Sequence, residues 1–440
     1  MQRDEAVRGL VLPKEMGGSA NRGGLVACMG AICLAATALP AWSAGGGPKT
    51  QLTSLGSGGQ VVHGNSSTYG HSLSANGRTA LFTVNDDALP GADGTMDVYA
   101  RDRRTGRTRL VSRSTSGEPA NASCGDGPAI SADGRLIAFE CNADNLGGGV
   151  PGLFVRNLKM GTTRLASRAS NGNPAAGGGD RPGLSANGRF VVFESNSDNL
   201  PGAAGITDAY VRDLKRKRTQ LISKTSSGTP ADDNSSRYPS ISGTGRFAVF
   251  QSSSDLLPGS TSTADVYVRD LRRKTTRLVS KASSGAPGNG GSSPAPGAIS
   301  ADGRLVVFES NAANLGATLA GTAILRDLKT RKTRVVSRVP GGGVADGEEP
   351  AISGSGRYVA YSSDDDDLPG VLGTLDVYRF DRKTKRTRLV SRSTGGAAAD
   401  DDSFYGSLSR SGAVVAFTSR ADNLTGSDDD VYSNTFARIP

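Results

Sequence analysis

From residue 50 onward, apolar positions come in short runs broken by Gly, Asn, Asp, Ser and Pro, and the runs repeat. The recurring phrase is a Leu or Ile, a Ser, two turn residues, a Gly, usually an Arg, and then an apolar run. Its glycines are Gly77, Gly134, Gly188, Gly245, Gly303, Gly356 and Gly412, spaced by between 53 residues (Gly303 to Gly356) and 58 residues (Gly245 to Gly303). A period this regular predicts a repeat architecture, each repeat being one supersecondary unit.

Each unit carries four strand signals. Two flank the Ser-x-x-Gly turn, where Gly and Asn or Asp accept backbone angles that other residues resist. The third is an Asp-Val-Tyr-Val-Arg-Asp type of run, as at Asp97–Asp102, Asp208–Asp213 and Asp265–Asp270. The fourth is Thr-Arg-Leu-Val-Ser, as at Thr108–Ser112, Thr276–Ser280 and Thr387–Ser391. β-Branched and aromatic residues fill these runs and turn residues separate them. Four antiparallel strands per repeat, arranged radially, predict an all-β, seven-bladed β-propeller of four-stranded blades. A stacked β-solenoid would use much shorter repeats. The seventh unit stops after its third strand signal, Asp430–Thr435, and the missing fourth run stands before the first unit, as Thr50–Ser54. The N-terminal strand is therefore expected to close the ring.

Composition agrees: Gly is 60 of 440 residues and aromatics are 5%, which suits many short strands and turns. Charged residues at 21% do not mark a disordered chain. Residues 1–44 read as a secretory signal. Arg3, Arg8, Lys14 and Arg22 precede an apolar stretch from Leu25 to Leu39, followed by the small residues Ala41, Ser43 and Ala44. That leaves 45–440 as the propeller and places it in the periplasm or outside the cell. No other apolar run reaches the roughly 18 residues that span a membrane, so no span is expected after cleavage.

The three recurring phrases together resemble the TolB-like, WD-related β-propeller repeats of bacterial exported proteins, over roughly residues 50–435. The chain departs from TolB itself in having seven repeats rather than six and no N-terminal α/β domain. It departs from prolyl-oligopeptidase relatives in having no C-terminal α/β-hydrolase domain. The resemblance implies the fold and an exported role. It also keeps in view a sugar-processing lyase, which some TolB-like propellers resemble.

The net charge of +9 is unevenly placed. One face of the predicted ring carries Arg78, Arg135, Arg189, Arg246, Arg304 and Arg357 beside the Ser-x-x-Gly turns. It also carries Arg103-Arg104, Lys215–Arg218, Arg272–Lys274, Arg331-Lys332 and Lys383–Arg386. Such a face attracts anionic partners, an envelope polymer or an acidic protein. It lacks interleaved aromatics for base stacking, which argues against nucleic acid. The long loops on the other face hold carboxylates at both ends: Asp87, Asp198, Asp255, Asp366 and Asp422 closing second strands, and Asp97, Asp208, Asp265, Asp376 and Asp430 opening third strands. Paired carboxylates of this kind are candidates for Ca²⁺, the one cofactor the sequence suggests. The plainer reading is that each carboxylate accepts backbone N–H groups in its loop.

A residue present in every blade serves the fold, so function is sought where the repeat breaks. Cys124 and Cys141, equidistant from the Ser131–Gly134 turn, face each other across a hairpin and predict a disulfide in an oxidising compartment. The loops entering the inner strands carry Tyr69, Tyr238, Phe404 and Tyr405, with His71 and Asp400, Asp401 and Asp402 nearby. Aromatics with carboxylates suit a sugar or peptide ligand. With only two histidines, no nucleophile elbow and no phosphate-binding loop, catalytic residues are not assigned. The expectation is a monomeric, non-catalytic binding or scaffold propeller with a protein or glycan partner. The alternatives are a carboxylate-based lyase or glycosidase and a structural cell-surface protein.

Overall fold

The computed structural model describes residues 49–440 apart from 61, 126, 204–206, 233–234, 258–259, 261–263, 371–372 and 425–432. The signal reading of residues 1–44 and the carboxylate of Asp430 lie outside the described residues. Gly47–Pro440 forms one compact unit.

Every repeat becomes a four-stranded antiparallel sheet, seven in all, and sheet order follows chain order within six of them. Blade 3 is representative: Asp180–Leu184 lies innermost, followed by Phe190–Ser195, Asp208–Asp213 and Arg218–Leu221. The second and third strands pair in one register throughout, so the Phe or Tyr of one faces an aromatic of the other. Phe82 stacks with Tyr99, Phe193 with Tyr210, Phe250 with Tyr267 and Phe417 with Phe436, at centroid distances of 5.5 to 5.8 Å. Blade 5 sets Phe308 opposite Ile324 instead. These pairs are fully buried between blades and form the core. Among the described residues the only helical element is a 3-10 turn, Ala313–Leu315. No helix of the described residues is long and apolar enough to cross a membrane.

The Ser-x-x-Gly turn does more than reverse the chain. Its Gly has φ between +66° (Gly188) and +75° (Gly412), a region that disfavours a side chain. A Cβ at Gly188, Gly245, Gly303 or Gly412 would also collide with Leu136, Phe190, Phe247 or Tyr358 of the preceding blade. The turns then bond to one another around the ring. Ala75 N–H donates to Ala132 O (3.0 Å), Ala132 to Ala186 (2.9 Å), Ala186 to Gly243 (3.1 Å) and Thr244 to Ala301 (3.1 Å). Ala301 N–H donates to Gly354 O (3.0 Å), Ser355 to Arg410 (2.8 Å) and Arg410 back to Ala75 (3.1 Å).

Towards the rim, each seam between blades is held by two devices. The Arg near the end of the third strand reaches back to two carbonyls at the end of the preceding blade. Arg156 Nη1 thus donates to Arg113 O (3.0 Å), Ser114 O (2.9 Å) and Thr163 Oγ1 (2.8 Å). Arg101, Arg212, Arg269, Arg326 and Arg438 repeat this clamp. The second device is a hydroxyl hook. Thr115 Oγ1 accepts the N–H of Thr163 (2.9 Å) and donates to its carbonyl (3.2 Å), capping an edge that would otherwise stand open. Ser57, Ser170, Ser226, Ser283 and Thr394 do the same. Burial lowers the pKa of the clamp arginines, Arg438 to about 10, so the carbonyls are what hold these cations inside.

The ring closes as expected, with a shift in both strands. The closing strand is Lys49–Leu52 rather than Thr50–Ser54, and it pairs with Asn434–Ile439 rather than with a strand at Asp430–Thr435. The displacement follows from register: Phe436 must stack on Phe417, which sets Leu52 opposite Phe436 and Lys49 opposite Ile439. Thr53 and Ser54 still contribute, bonding Thr435 O (2.7 Å, through the Thr53 N–H) and Asn434 Oδ1 (3.0 Å). Cys124 and Cys141 pair across the second blade's hairpin and form the disulfide.

Candidate functional site

The inner strands line a central channel, and at one mouth four of them bulge. Register shifts fall between Asp180 and Gly183, Arg237 and Ser240, Glu348 and Ala351, and Phe404 and Ser407. The residue within each bulge lies three positions before the Leu or Ile of the Ser-x-x-Gly phrase and is left-handed: Arg181 (φ 47°), Tyr238 (54°), Glu349 (49°) and Tyr405 (62°). Blades 1 and 2 have Gly70 and Gly127 in this column, also with positive φ, so the backbone itself asks for no side chain here. A non-glycine residue so held costs on the order of 1 kcal/mol, and such positions cluster at functional sites. All four side chains line one cavity of about 780 Å³, together with Tyr69, Glu140 and Glu309.

The mouth has three chemically distinct sectors. Tyr69 of blade 1 meets Tyr405 of blade 7 edge to face (4.8 Å), and Phe404 meets Tyr405 in the same way (4.8 Å). Across blades 3 and 4, Arg181 Nη1 pairs with Glu194 Oε1 at 2.6 Å and its guanidinium lies 4.7 Å from the Tyr238 ring centre. The backbone N–H of Tyr238 donates to the other Glu194 oxygen (3.0 Å). Blades 5 and 6 supply an acidic sector in which the Glu349 N–H bonds the Glu309 carboxylate. Burial, then the neighbouring Glu348 and Glu309, push the Glu349 carboxyl up to about 8. Burial raises Glu309 as well. At neutral pH the sector therefore offers a protonated Glu349 carboxyl.

The expected residues divide accordingly. Tyr69, Tyr238 and Tyr405 meet at the cavity, and Phe404 supports Tyr405. His71 does not belong to this patch. It lies just past Gly70, in a narrower part of the channel with Pro182, Pro239, Ile299 and Arg410, where burial lowers its pKa. Asp400, Asp401 and Asp402 build their own loop. Asp400 accepts the N–H of Asp422 (3.1 Å), Asp401 that of Asp402 (2.6 Å) and Asp402 that of Leu375 (3.0 Å).

The loop-end carboxylates take separate roles. Asp97, Asp208, Asp265 and Asp376 are buried and accept hydrogen bonds from Ser112, Ser223, Ser280 and Ser391 of the outer strands (2.5 to 2.7 Å). Asp87, Asp198, Asp255 and Asp366 are exposed, and Asp422 is half-buried. In blade 1 it is Asp86 that accepts loop N–H groups, from His63 and Ala88. Among the described residues no three His, Cys, Asp or Glu side chains gather as a metal would require.

Burial pushes Asp97 and Asp376 up to about 7, which has a consequence for stability. Between about pH 4, where an unfolded Asp titrates, and about pH 7, the folded chain binds the extra protons, so stability falls as pH rises through that window. In the opposite sense, Arg304 and Arg357 hold Asp327 and Asp381 well below the usual carboxylate range. That stability is present above about pH 4 and is lost as pH falls further. Thermal unfolding across pH is thus expected to show its highest Tm at mildly acidic pH, with Asp97→Asn and Asp376→Asn flattening the decline towards pH 8. A Tm that climbs steadily to pH 8 contradicts this.

The basic face is weaker than its residue count. Arg78, Arg189, Arg246, Arg304 and Arg357 each form an ion pair, with Asp102, Asp213, Asp270, Asp327 and Asp381 respectively (2.5 to 2.7 Å). Only Arg135 breaks the series, because Asn157 stands where the Asp would be. Among the described residues, the cations of the turns at Lys215–Arg218, Arg272–Lys274, Arg331-Lys332 and Lys383–Arg386 form no ion pair.

Arg181, Glu194, Glu309, Glu348 and Glu349 were not singled out from sequence. Arg181 and Glu349 share a repeat column with Tyr238 and Tyr405, and Glu140, Glu194 and Glu309 share another, so aligning the repeats by column is the signal that finds them.

No family model matches the chain, and no curated protein is similar to it. Among solved structures, the oligogalacturonate lyase of Vibrio parahaemolyticus is similar at 13% identity over 90% of this chain and 98% of that one, with a TM-score of 0.54. The β-propeller domain of the trilobed protease of Pyrococcus furiosus is similar at 12% identity over 82% of this chain and 92% of that one, with a TM-score of 0.50. TolB from Acinetobacter baumannii is also a neighbour, at 14% identity over 74% of this chain and a TM-score of 0.40. The chain spans 63% of that TolB's length. At such identities the likeness shows the fold alone: a β-propeller, of seven blades here.

Proposed function

We propose that the chain is an exported, non-catalytic binding propeller that engages a protein or glycan partner of the envelope or extracellular space through its channel mouth. The observation that carries this is the convergence of Arg181, Tyr238, Glu349 and Tyr405 on one cavity, each in a backbone conformation that glycine satisfies in other blades. A cavity of about 780 Å³ suits a small ligand or the end of a chain. Tyrosine rings offer faces for sugar rings or apolar side chains, and the carboxyl sector accepts hydroxyl and ammonium donors. The basic, apolar and small-residue leader supports export.

The test is a thermal-unfolding titration of the signal-free chain against neutral glycans, acidic glycans and peptides. A ligand that binds only the folded chain raises Tm with concentration. The shift is expected to vanish in Tyr238→Ala and in Glu349→Gln. A shift that survives both substitutions, or none with any member of the panel, overturns the reading.

One observation favours a second reading, a carboxylate-based lyase or glycosidase. Glu349, pushed up to about 8 beside Glu309 and Glu348, keeps its proton at neutral pH, as the general acid of such chemistry must. Product released from a polysaccharide by the native chain, and lost in Glu349→Gln while capture persists, would replace the binding reading with this one.

A further inference from the structure

Six seams of the ring carry both clamp and hook, and the seam between blades 5 and 6 carries neither. Its third strand runs Asp376-Val377-Tyr378-Arg379-Phe380-Asp381, so Phe380 stands at the clamp position. Arg379 turns the other way, to Gly412 O of blade 7 (2.8 Å) and over the Tyr358 ring (4.4 Å). The hook position is Pro340, which has no hydroxyl. Thr387 keeps one link, from its Oγ1 to Arg338 O (2.9 Å). Its backbone N–H and C=O lose the cap that their equivalents have in the other six seams. A cavity of about 1220 Å³ opens there, larger than the channel mouth.

The cavity is cationic. Lys332, Arg334 and Arg338 line it from blade 5, and Arg382, Lys385, Arg386 and Arg388 from blade 6, around Phe380. Arg304 also lines it but is paired with Asp327. None of the other seven pairs with a carboxylate among the described residues. Burial, then the charges of Arg334, Arg382 and Arg338, lower the pKa of Lys385. Arg386 and Arg388 flank Thr387 on the edge strand Arg386–Leu389, and alternate residues of a strand lie roughly 6.6 Å apart on one face. An uncapped edge amide between two such cations is matched by an extended peptide, whose backbone supplies both a donor and an acceptor and whose carboxylates can repeat at the same interval.

We infer that the seam between blades 5 and 6 is a docking groove for an acidic peptide segment, with Asp or Glu at alternate positions. The peptide pairs with the Thr387 backbone in place of the missing hook and sets its carboxylates against Arg386, Arg388 and Arg334. The groove is separate from the channel mouth, so Tyr238→Ala leaves it intact.

The experiment is fluorescence anisotropy of a labelled peptide with alternating Glu residues, titrated with the signal-free chain, with polygalacturonate as a competing polyanion. The double variant Arg386→Glu/Arg388→Glu is expected to weaken binding by about tenfold or more. The decisive variant is Pro340→Ser/Phe380→Arg, which rebuilds hook and clamp while adding a positive charge. Binding is expected to be lost there. Binding that persists or strengthens in that variant is nonspecific attraction to basic charge and overturns the inference, even where the charge-reversal variant fails to fold. Displacement by polygalacturonate at equal charge concentration, with the glycan itself excluded by the rebuilt seam, makes the occupant an anionic glycan and overturns the peptide assignment. Absence of saturable binding overturns it outright.

Discussion

Deleting residues 49–54 lowers Tm by on the order of 10 °C and replaces a single unfolding transition with a broad one. The closing strand contributes four ladder positions against Asn434–Ile439. It also supplies the buried Thr53 and Ser54 hydrogen bonds to Thr435 and Asn434, and Thr50 Oγ1 as a partner of the clamp Arg438 (2.5 Å). Its loss leaves Arg438 in a buried setting with part of its partners gone, exposes the edge of the last blade, and lifts the Arg101 clamp from Leu55 and Gly56. A seven-blade ring without closure becomes a linear array whose end blades fray. Calorimetry on the truncated and full signal-free chains checks this; coincident transitions at unchanged Tm would show that the strand pairing is ornamental to stability.

The second large effect concerns a single clamp. Arg212→Met keeps the apolar stem but removes donors to Arg168 O (2.9 Å), Ala169 O (3.4 Å) and Thr219 Oγ1 (2.8 Å), all at buried or half-buried positions. Hydrogen bonds from a charged donor are worth more than neutral ones, and part of the gain is offset by removing the cost of a buried cation, so the net loss is about 3 kcal/mol. Denaturant titration measures it: the midpoint should fall with an unchanged slope. The blade 6 equivalent is the internal comparison: Phe380→Arg adds a clamp where none exists but removes a buried ring from the core between blades 5 and 6, so its midpoint is expected to change less than that of Arg212→Met. Equal midpoints for wild type and Arg212→Met would mean that burial of the cation cancels its bonds.

Much of the architecture was readable from the repeat. The seven glycines located the seven hairpins, and the shortfall of one strand at the C-terminus with a surplus at the N-terminus foretold closure. The exact strand limits were not readable, because the stacking of Phe436 on Phe417 decides the register and that pairing is three-dimensional. The basic face was overestimated for a similar reason. Arg189 and Asp213 stand in separate phrases of the repeat, and only the sheet brings them to 2.6 Å. At the channel mouth, aromatic residues were visible as breaks in the pattern, whereas Arg181 and Glu349 were hidden as ordinary charged loop residues. His71 was misplaced because nearness in sequence to Tyr69 is not nearness across the left-handed Gly70: two residues further on, the chain has already entered the narrow channel. Phe380 and Pro340 were plain in the sequence, but without knowing what Arg and Ser do at those columns, their replacement carries no message.

The central claim is that function sits at the channel mouth. It is tested most directly by hydrogen exchange on the signal-free chain with and without a ligand found by thermal titration. Protection is expected in the bulged inner strands Ser236–Ile241, Glu348–Ile352 and Ser403–Leu408 and in the segment around Tyr69, with the outer strands unchanged. Protection confined to the outer strands or to the Ser-x-x-Gly turns would place the ligand elsewhere and contradict the account.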